Sequence, residues 1–187
     1  VTGSVAKTSL KELMGGLLSK YHKCYYNSGN YNNHIGMPLS LANLDMAAEY
    51  AVFELGMIHF GEIEFLSRIL RPDISLITLI CAAHIGNFSN ISDIVEAKSE
   101  IFAGQNEEGL VILNGDDIRS AEIYSIATHN YQIKPENIYF FGSKNHHDLI
   151  IKEMFSRNEK IIVNLEITET PYQLEFSFYN IALIKII

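Results

Sequence analysis

The chain has 187 residues, 14 Lys and Arg against 22 Asp and Glu, and a formal net charge of -8 at neutral pH. That length holds one domain with a sizeable core, and the acidic balance argues against a general nucleic-acid binder, which needs a Lys/Arg excess to neutralise phosphates. Cys24 and Cys81 have no metal-ligand spacing and give no disulfide framework, which points to a reducing cytoplasm, and no stretch is long and apolar enough to span a bilayer.

Residues 8–23 carry Leu10, Leu13, Met14, Leu17 and Leu18 near helical spacing and predict a helix, with Gly15 and Gly16 counting against it. The polar Asn/Gly/Tyr segment 25–33 reads as a loop. Segments 50–55 and 74–81 are short apolar runs of the kind buried on both faces of a sheet, and between them residues 61–70 predict a helix that stops before Pro72. A helix over 91–102, a strand over 110–113, a helix over 118–128 and a strand over 138–141 follow. This alternation implies an α/β fold, with three layers and a mostly parallel sheet flanked by helices. The tail differs: 149–155, 160–167, 172–178 and 181–187 read as strands joined by short turns, a small antiparallel sheet at the C-terminal end.

The chemistry begins at the first residues. Thr2-Gly3-Ser4-Val5-Ala6-Lys7-Thr8-Ser9 has the form of a short phosphate-binding loop. Such a loop offers backbone N–H groups and a helix N-terminus to phosphate oxygens, a lysine to their charge and a hydroxyl to Mg²⁺. Ala6 stands where the second glycine belongs, and alanine disfavours positive φ. Taken alone, the same residues also make a Ser/Thr-rich helix start.

Further motifs follow in order: Gly29-Asn30-Tyr31-Asn32-Asn33-His34-Ile35-Gly36-Met37-Pro38-Leu39, then Glu54-Leu55-Gly56, Gly61-Glu62-Ile63, Arg71-Pro72-Asp73, Ala82-Ala83-His84, Glu96-Ala97-Lys98-Ser99-Glu100-Ile101-Phe102 and Leu113-Asn114-Gly115-Asp116-Asp117. In this order and combination they resemble the central, ATP-binding domain of the Mur ligase family over roughly residues 1–143. The Asn-Asn-x-Ile-Gly-x-Pro-Leu loop and the Gly-Glu-Ile segment favour the branch that joins D-alanyl-D-alanine to UDP-N-acetylmuramoyl-tripeptide. The resemblance implies a P-loop-type domain spanning 1–187, a fragment without the N-terminal UDP-binding and C-terminal domains. It also implies a monomeric ATP-dependent amide ligase that works through an acyl phosphate, with those two compounds as partners and ATP and Mg²⁺ as cofactors. A non-catalytic nucleotide-binding remnant and a folylpolyglutamate-synthase-like ligase are the alternatives.

Residue by residue, the resemblance makes Thr2, Gly3, Ser4, Val5, Ala6, Lys7 and Thr8 the phosphate loop, with Lys7 on the β- and γ-phosphates and Thr8 on the first Mg²⁺. Glu54, at the end of a parallel strand where ligands collect in open α/β sheets, joins Thr8 as a metal ligand. His84 serves the second Mg²⁺, although spacing alone reads it as a core or capping histidine. The resemblance implies that Lys98 is carbamylated and helps position Mg²⁺, although its pattern alone is that of a surface lysine. Asn33, Asn114 and Asp117 join the nucleotide set, with Asn114 at the adenine, although an Asn/Asp turn after a strand has the same sequence. Lys7, Lys98 and His84 form the catalytic set. Leu79 departs from the family, which usually has asparagine there, and the adjacent His146 and His147 suggest no metal site.

Overall fold

The computed structural model describes residues 1–27, 29–82, 87–158 and 160–177. Five helices, α1 (Lys7–Leu18), α2 (Gly36–Ala42), α3 (Glu62–Leu70), α4 (Ile91–Ser99) and α5 (Ser120–His129), alternate with strands β1 (Cys24–Tyr26), β2 (Tyr50–Val52), β3 (Ile74–Ile77), β4 (Leu110–Asn114) and β5 (Ile138–Gly142). The chain then turns to strands alone, β6 (Leu149–Arg157), β7 (Lys160–Ile167) and β8 (Thr170–Ser177).

The strands β3-β4-β5-β6-β7-β8 form one six-stranded sheet in that order, parallel as far as β6 and antiparallel beyond. The expected antiparallel strands are therefore present and continue the main sheet. β1 and β2 form a separate parallel pair. Residues 1–2 lie between the two: Val1 donates to Phe53 O and accepts from Leu55 N, while Thr2 N donates to Leu76 O and Thr2 O accepts from Thr78 N. This puts the first residues of the candidate phosphate loop between the two sheets, beside the ends of β2 and β3.

Strand alternation sorts the side chains into two faces. Ile77, Val111, Leu113 and Ile138 join the buried core with Ile63 and Leu66 of α3, Ile94 and Val95 of α4, and Ile123 of α5. Leu76, Ile112, Phe141 and Leu149, of opposite parity, line a groove with Leu10 and Leu13 of α1. Helices thus flank both faces, and three layers result. The ends are set locally. Asn90 caps α4 by accepting from Asp93 N, and α3 stops at Arg71, in the left-handed region, just before Pro72. At the β7–β8 hairpin, Thr168 and Glu169 both have positive φ, as a two-residue turn of type I′ requires.

The helix expected over 8–23 is α1, which runs through Gly15 and Gly16 and ends at Leu18. A Cβ on Gly15 would stand 2.3 Å from the Tyr26 ring, so the glycine lets helix and strand pack closely. Two other elements differ from expectation. Tyr25 and Tyr26, read as the start of a loop, lie in β1: three residues are too few to show an alternation, and pairing with β2 makes the strand. Helix α2 falls in a stretch that carried no helix assignment. Residues 181–187 and His84 lie outside the described residues.

Candidate active site

The site lies at the carboxyl ends of the strands, where residues 1–2 give way to α1. The connecting loop is held from both sides. Thr2 Oγ1 donates to Leu55 O at 2.9 Å, Ser4 N to Leu79 O at 2.7 Å and Ser4 Oγ to Cys81 O at 3.0 Å. Thr78 Oγ1 donates to Val5 O at 2.7 Å. Gly3 has φ 146°, and a Cβ there would lie 1.9 Å from Thr78 Oγ1, so only glycine fits. Ala6 has φ 64° and ψ 3°, a left-handed conformation that glycine adopts freely and alanine does not.

Helix α1 starts immediately after Ala6, and its first intrahelical acceptor, Ala6 O, takes the N–H of Leu10. Among the described residues the N–H groups of Lys7, Thr8 and Ser9 have no acceptor. Three donors and the positive end of the helix dipole therefore face outward together, a seat for an anion. The Lys7 ammonium bends back over the loop, 3.4 Å from Ser4 O. Burial pulls its pKa below the ordinary lysine value, against the opposing pull of Glu54 and Cys81.

Glu54 is 1% exposed. Its Oε2 accepts from Thr8 Oγ1 at 2.7 Å and its Oε1 from the Asn32 amide at 2.8 Å. No ion pair satisfies this carboxylate among the described residues. Its hydrogen-bond partners are neutral, and the Lys7 ammonium acts on it without a direct ion pair, so the buried charge is only partly compensated; a hard divalent cation between Glu54 and Thr8 would supply further positive charge to two oxygen ligands. The residues present therefore fit Mg²⁺. Among the described residues no three His, Cys, Asp or Glu side chains cluster as a metal cage, so the cation would lean on phosphate oxygens and water, as Mg²⁺ commonly does.

Lys98 is not the surface lysine its sequence pattern suggests. It is 3% exposed on the inner side of α4, and its pKa falls to about 7, first through burial and then through the nearby charge of Lys7, with Cys81 opposing. Asn114 ends β4, its Oδ1 accepting from Asp116 N at 3.0 Å. Asp117 is buried, and its carboxylate accepts from Ile80 N at 2.7 Å and Arg119 N at 2.9 Å. It thus ties the turn after β4 to the segment after β3 and sets where Asn114 stands. Asn33 is exposed and its Oδ1 accepts from Ile35 N and Gly36 N at the start of α2.

Beside the loop, the groove between α1 and the sheet encloses about 350 Å³, bounded by Ala6, Ser9, Leu10, Leu79, Ile112 and Asn114 among others. Apolar walls with few polar groups suit a flat heterocycle. Lys7, Thr8, Glu54 and Lys98 therefore converge, Asn114 borders the adjoining groove, and the Asn33 side chain is engaged by the turn that leads into α2. Asn32, next to it, is the residue the sequence reading missed. The signal was an asparagine-rich loop with no parity to say which amide reaches Glu54.

The family model for the Mur ligase middle domain matches residues 1–183. The UDP-N-acetylmuramoyl-tripeptide–D-alanyl-D-alanine ligase of Escherichia coli (strain K12) is 41% identical over 117 residues, 63% of this chain and 26% of the relative. Among solved structures, MurF from Acinetobacter baumannii superposes with a TM-score of 0.82 at 30% identity, covering 97% of this chain and 39% of that one. The MurF ligase from Thermotoga maritima in complex with ADP gives 0.80 at 26% identity, covering 98% and 42%. The chain spans about a quarter to a third of the length of the curated relatives it matches.

Proposed function

The chain belongs to the Mur ligase middle-domain family, and from that premise we propose that it carries the Mg-ATP site of a ligase that adds D-alanyl-D-alanine to UDP-N-acetylmuramoyl-tripeptide. The observation that carries this reading is the contact between Thr8 Oγ1 and Glu54 Oε2, 2.7 Å, at the open N–H end of α1. It sets a hydroxyl and a carboxylate suited to a cation beside donors suited to phosphate. The names of the E. coli relative and the T. maritima complex, the latter holding ADP, support the same choice of substrates and nucleotide. The UDP-sugar and the dipeptide would be held by parts of the enzyme beyond residues 1–187. The reading includes a cytoplasmic monomer; Cys24 and Cys81 are free thiols, and no described helix is long and apolar enough to cross a membrane.

ATP supplies the phosphoryl group that activates the tripeptide carboxylate for attack by the dipeptide amine, and Mg²⁺ neutralises charge on the phosphates. The work of this chain is positioning and charge compensation. The N–H groups of Lys7, Thr8 and Ser9 bind phosphate oxygens, and the Lys7 ammonium is placed against the outer phosphates. Thr8 and Glu54 would hold the cation, and Asn114 would orient the base, with Asp117 fixing its turn. His84 is assigned to the second cation.

Lys98 fits the role of a carbamylated lysine. A carbamate forms when a neutral amine attacks CO₂. With its pKa near 7, about half of Lys98 is neutral at pH 7, against well under about 0.1% of an ordinary lysine with pKa near 10.4. The product is an anion facing the Lys7 ammonium, which converts a repulsion into an attraction.

Calorimetry of Mg-ATP binding tests the reading. Lys7→Ala should weaken binding by more than tenfold, about 1.4 kcal/mol. Equal affinities for the unmodified and variant proteins would remove the phosphate loop from the account.

A further inference from the structure

Lys11 lies on α1 three residues beyond Thr8 and four beyond Lys7, so the three share one side of the helix. Unlike them it is wholly buried, at 0% exposure. An ammonium removed from water is costly unless hydrogen bonds and an opposite charge surround it. Lys11 Nζ has both: it donates to Asn27 O and, at 3.0 Å, to Gly29 O, and it stands 2.8 Å from the Glu12 carboxylate.

Those two carbonyls open the loop between β1 and α2. Within the same loop the Asn27 amide donates to Tyr31 O at 2.8 Å, and Asn32 O accepts from Gly56 N at 2.8 Å. The Asn32 amide then donates to Glu54 Oε1, and the other Glu54 oxygen accepts from Thr8, which returns the path to α1. Helix, loop and carboxylate form a closed ring of contacts with Lys11 at one side and the candidate cation ligands at the other.

We propose that Lys11 is a positioning residue for the cation site. It clamps the loop at residues 27 and 29 to α1, so that Asn32 holds one oxygen of Glu54 and the second stays turned toward Thr8. The inference rests on the Mg-nucleotide reading above. Without the clamp Asn32 loses its place and Glu54 is free to rotate, so the cation loses a prearranged ligand. The phosphate seat is spared, because its donors are the N–H groups of residues 7–9. Loss of Lys11 therefore acts on Mg²⁺ selectively, whereas a purely architectural role would lower ATP affinity with and without Mg²⁺ alike.

The test is a pair of titrations on the full-length protein: ATP affinity without Mg²⁺, and the Mg²⁺ concentration that gives half of the Mg²⁺-dependent gain. Lys11→Met keeps the stem and removes the donors. It should raise the Mg²⁺ midpoint at least tenfold and change Mg²⁺-free ATP affinity less than threefold. A folded Lys11→Met with an unchanged Mg²⁺ midpoint, or with both affinities reduced in parallel, overturns the proposal. If Lys11→Met does not fold, the unmodified protein decides. Coupling is reciprocal, so adding Mg²⁺ at saturating ATP should slow hydrogen exchange of the amides at 29–33 at least threefold. Unchanged exchange there overturns the clamp. Failure of the unmodified protein to bind ATP at all would instead remove the nucleotide reading, and this inference with it.

Discussion

Ala6 decides whether the phosphate loop is under strain, and Ala6→Gly measures it. At φ 64° and ψ 3° an L-residue is disfavoured by about 1–2 kcal/mol relative to its right-handed conformation, and glycine is not. Against this, glycine loosens the unfolded chain, which costs about 0.4–1 kcal/mol. The difference leaves Ala6→Gly more stable by roughly 1 kcal/mol, a rise in melting temperature of about 2–4 °C for a domain of this size. Thermal and urea unfolding would read it. The sign carries the reasoning. At an ordinary right-handed helix position the same exchange destabilises by about 0.5–1 kcal/mol, so a lower melting temperature would refute the left-handed assignment. ATP affinity should follow modestly. A loop no longer tied to one strained conformation adjusts to the phosphates, and Ala6→Gly should bind Mg-ATP up to about fivefold more tightly, roughly 1 kcal/mol.

Lys98 makes stability depend on pH. Its folded pKa of about 7 lies below the ordinary 10.5, so between these values the unfolded chain binds the extra proton and stability rises with pH. In CO₂-free buffer, Lys98→Met should therefore gain most over the unmodified protein below pH 7, by up to about 5 kcal/mol, and the gain should shrink as pH climbs toward 10.5; a gain constant across that range would argue against a buried amine. With ¹³C-bicarbonate, the unmodified protein should show a carbamate carbon resonance that Lys98→Ala lacks, and identical spectra would exclude carbamylation at this lysine. Gly3→Ala meets both a positive φ and Thr78, and should destabilise by about 3 kcal/mol or more, measured by urea unfolding; a loss under about 1 kcal/mol would mean that the loop is free to move away.

The order of helices and strands was legible because the apolar runs at 74–81, 110–113 and 138–141 are long enough to identify buried strands, and Pro72 marks a helix end. β1 was not, since its three residues are strand only by virtue of their partner β2. In the site, Lys7, Thr8 and Glu54 could be named from motif order, and the structure brings Thr8 and Glu54 into contact. Lys98 could be named only through the resemblance, because its own pattern is that of a surface lysine: burial depends on how α4 docks on the sheet and not on its neighbours Glu96 and Glu100. Asn32 and Lys11 act through contacts with Glu54 and with backbone carbonyls, and a backbone acceptor leaves no trace in residue identity. The Asp117 carboxylate accepts from the N–H groups of Ile80 and Arg119, contacts with backbone that no motif specifies.

The central claim is that this site serves ATP-driven ligation of D-alanyl-D-alanine. The direct measurement is phosphate release by the full-length protein with Mg-ATP and UDP-N-acetylmuramoyl-tripeptide, with and without D-alanyl-D-alanine, alongside the same assay on residues 1–187 alone. Sustained phosphate release is expected only when both substrates are present, abolished in Glu54→Gln, and none is expected from residues 1–187 alone, because the groups that hold the two substrates are proposed to lie beyond them. Release by the full-length protein that ignores the dipeptide, or no release with every component supplied, would contradict that claim.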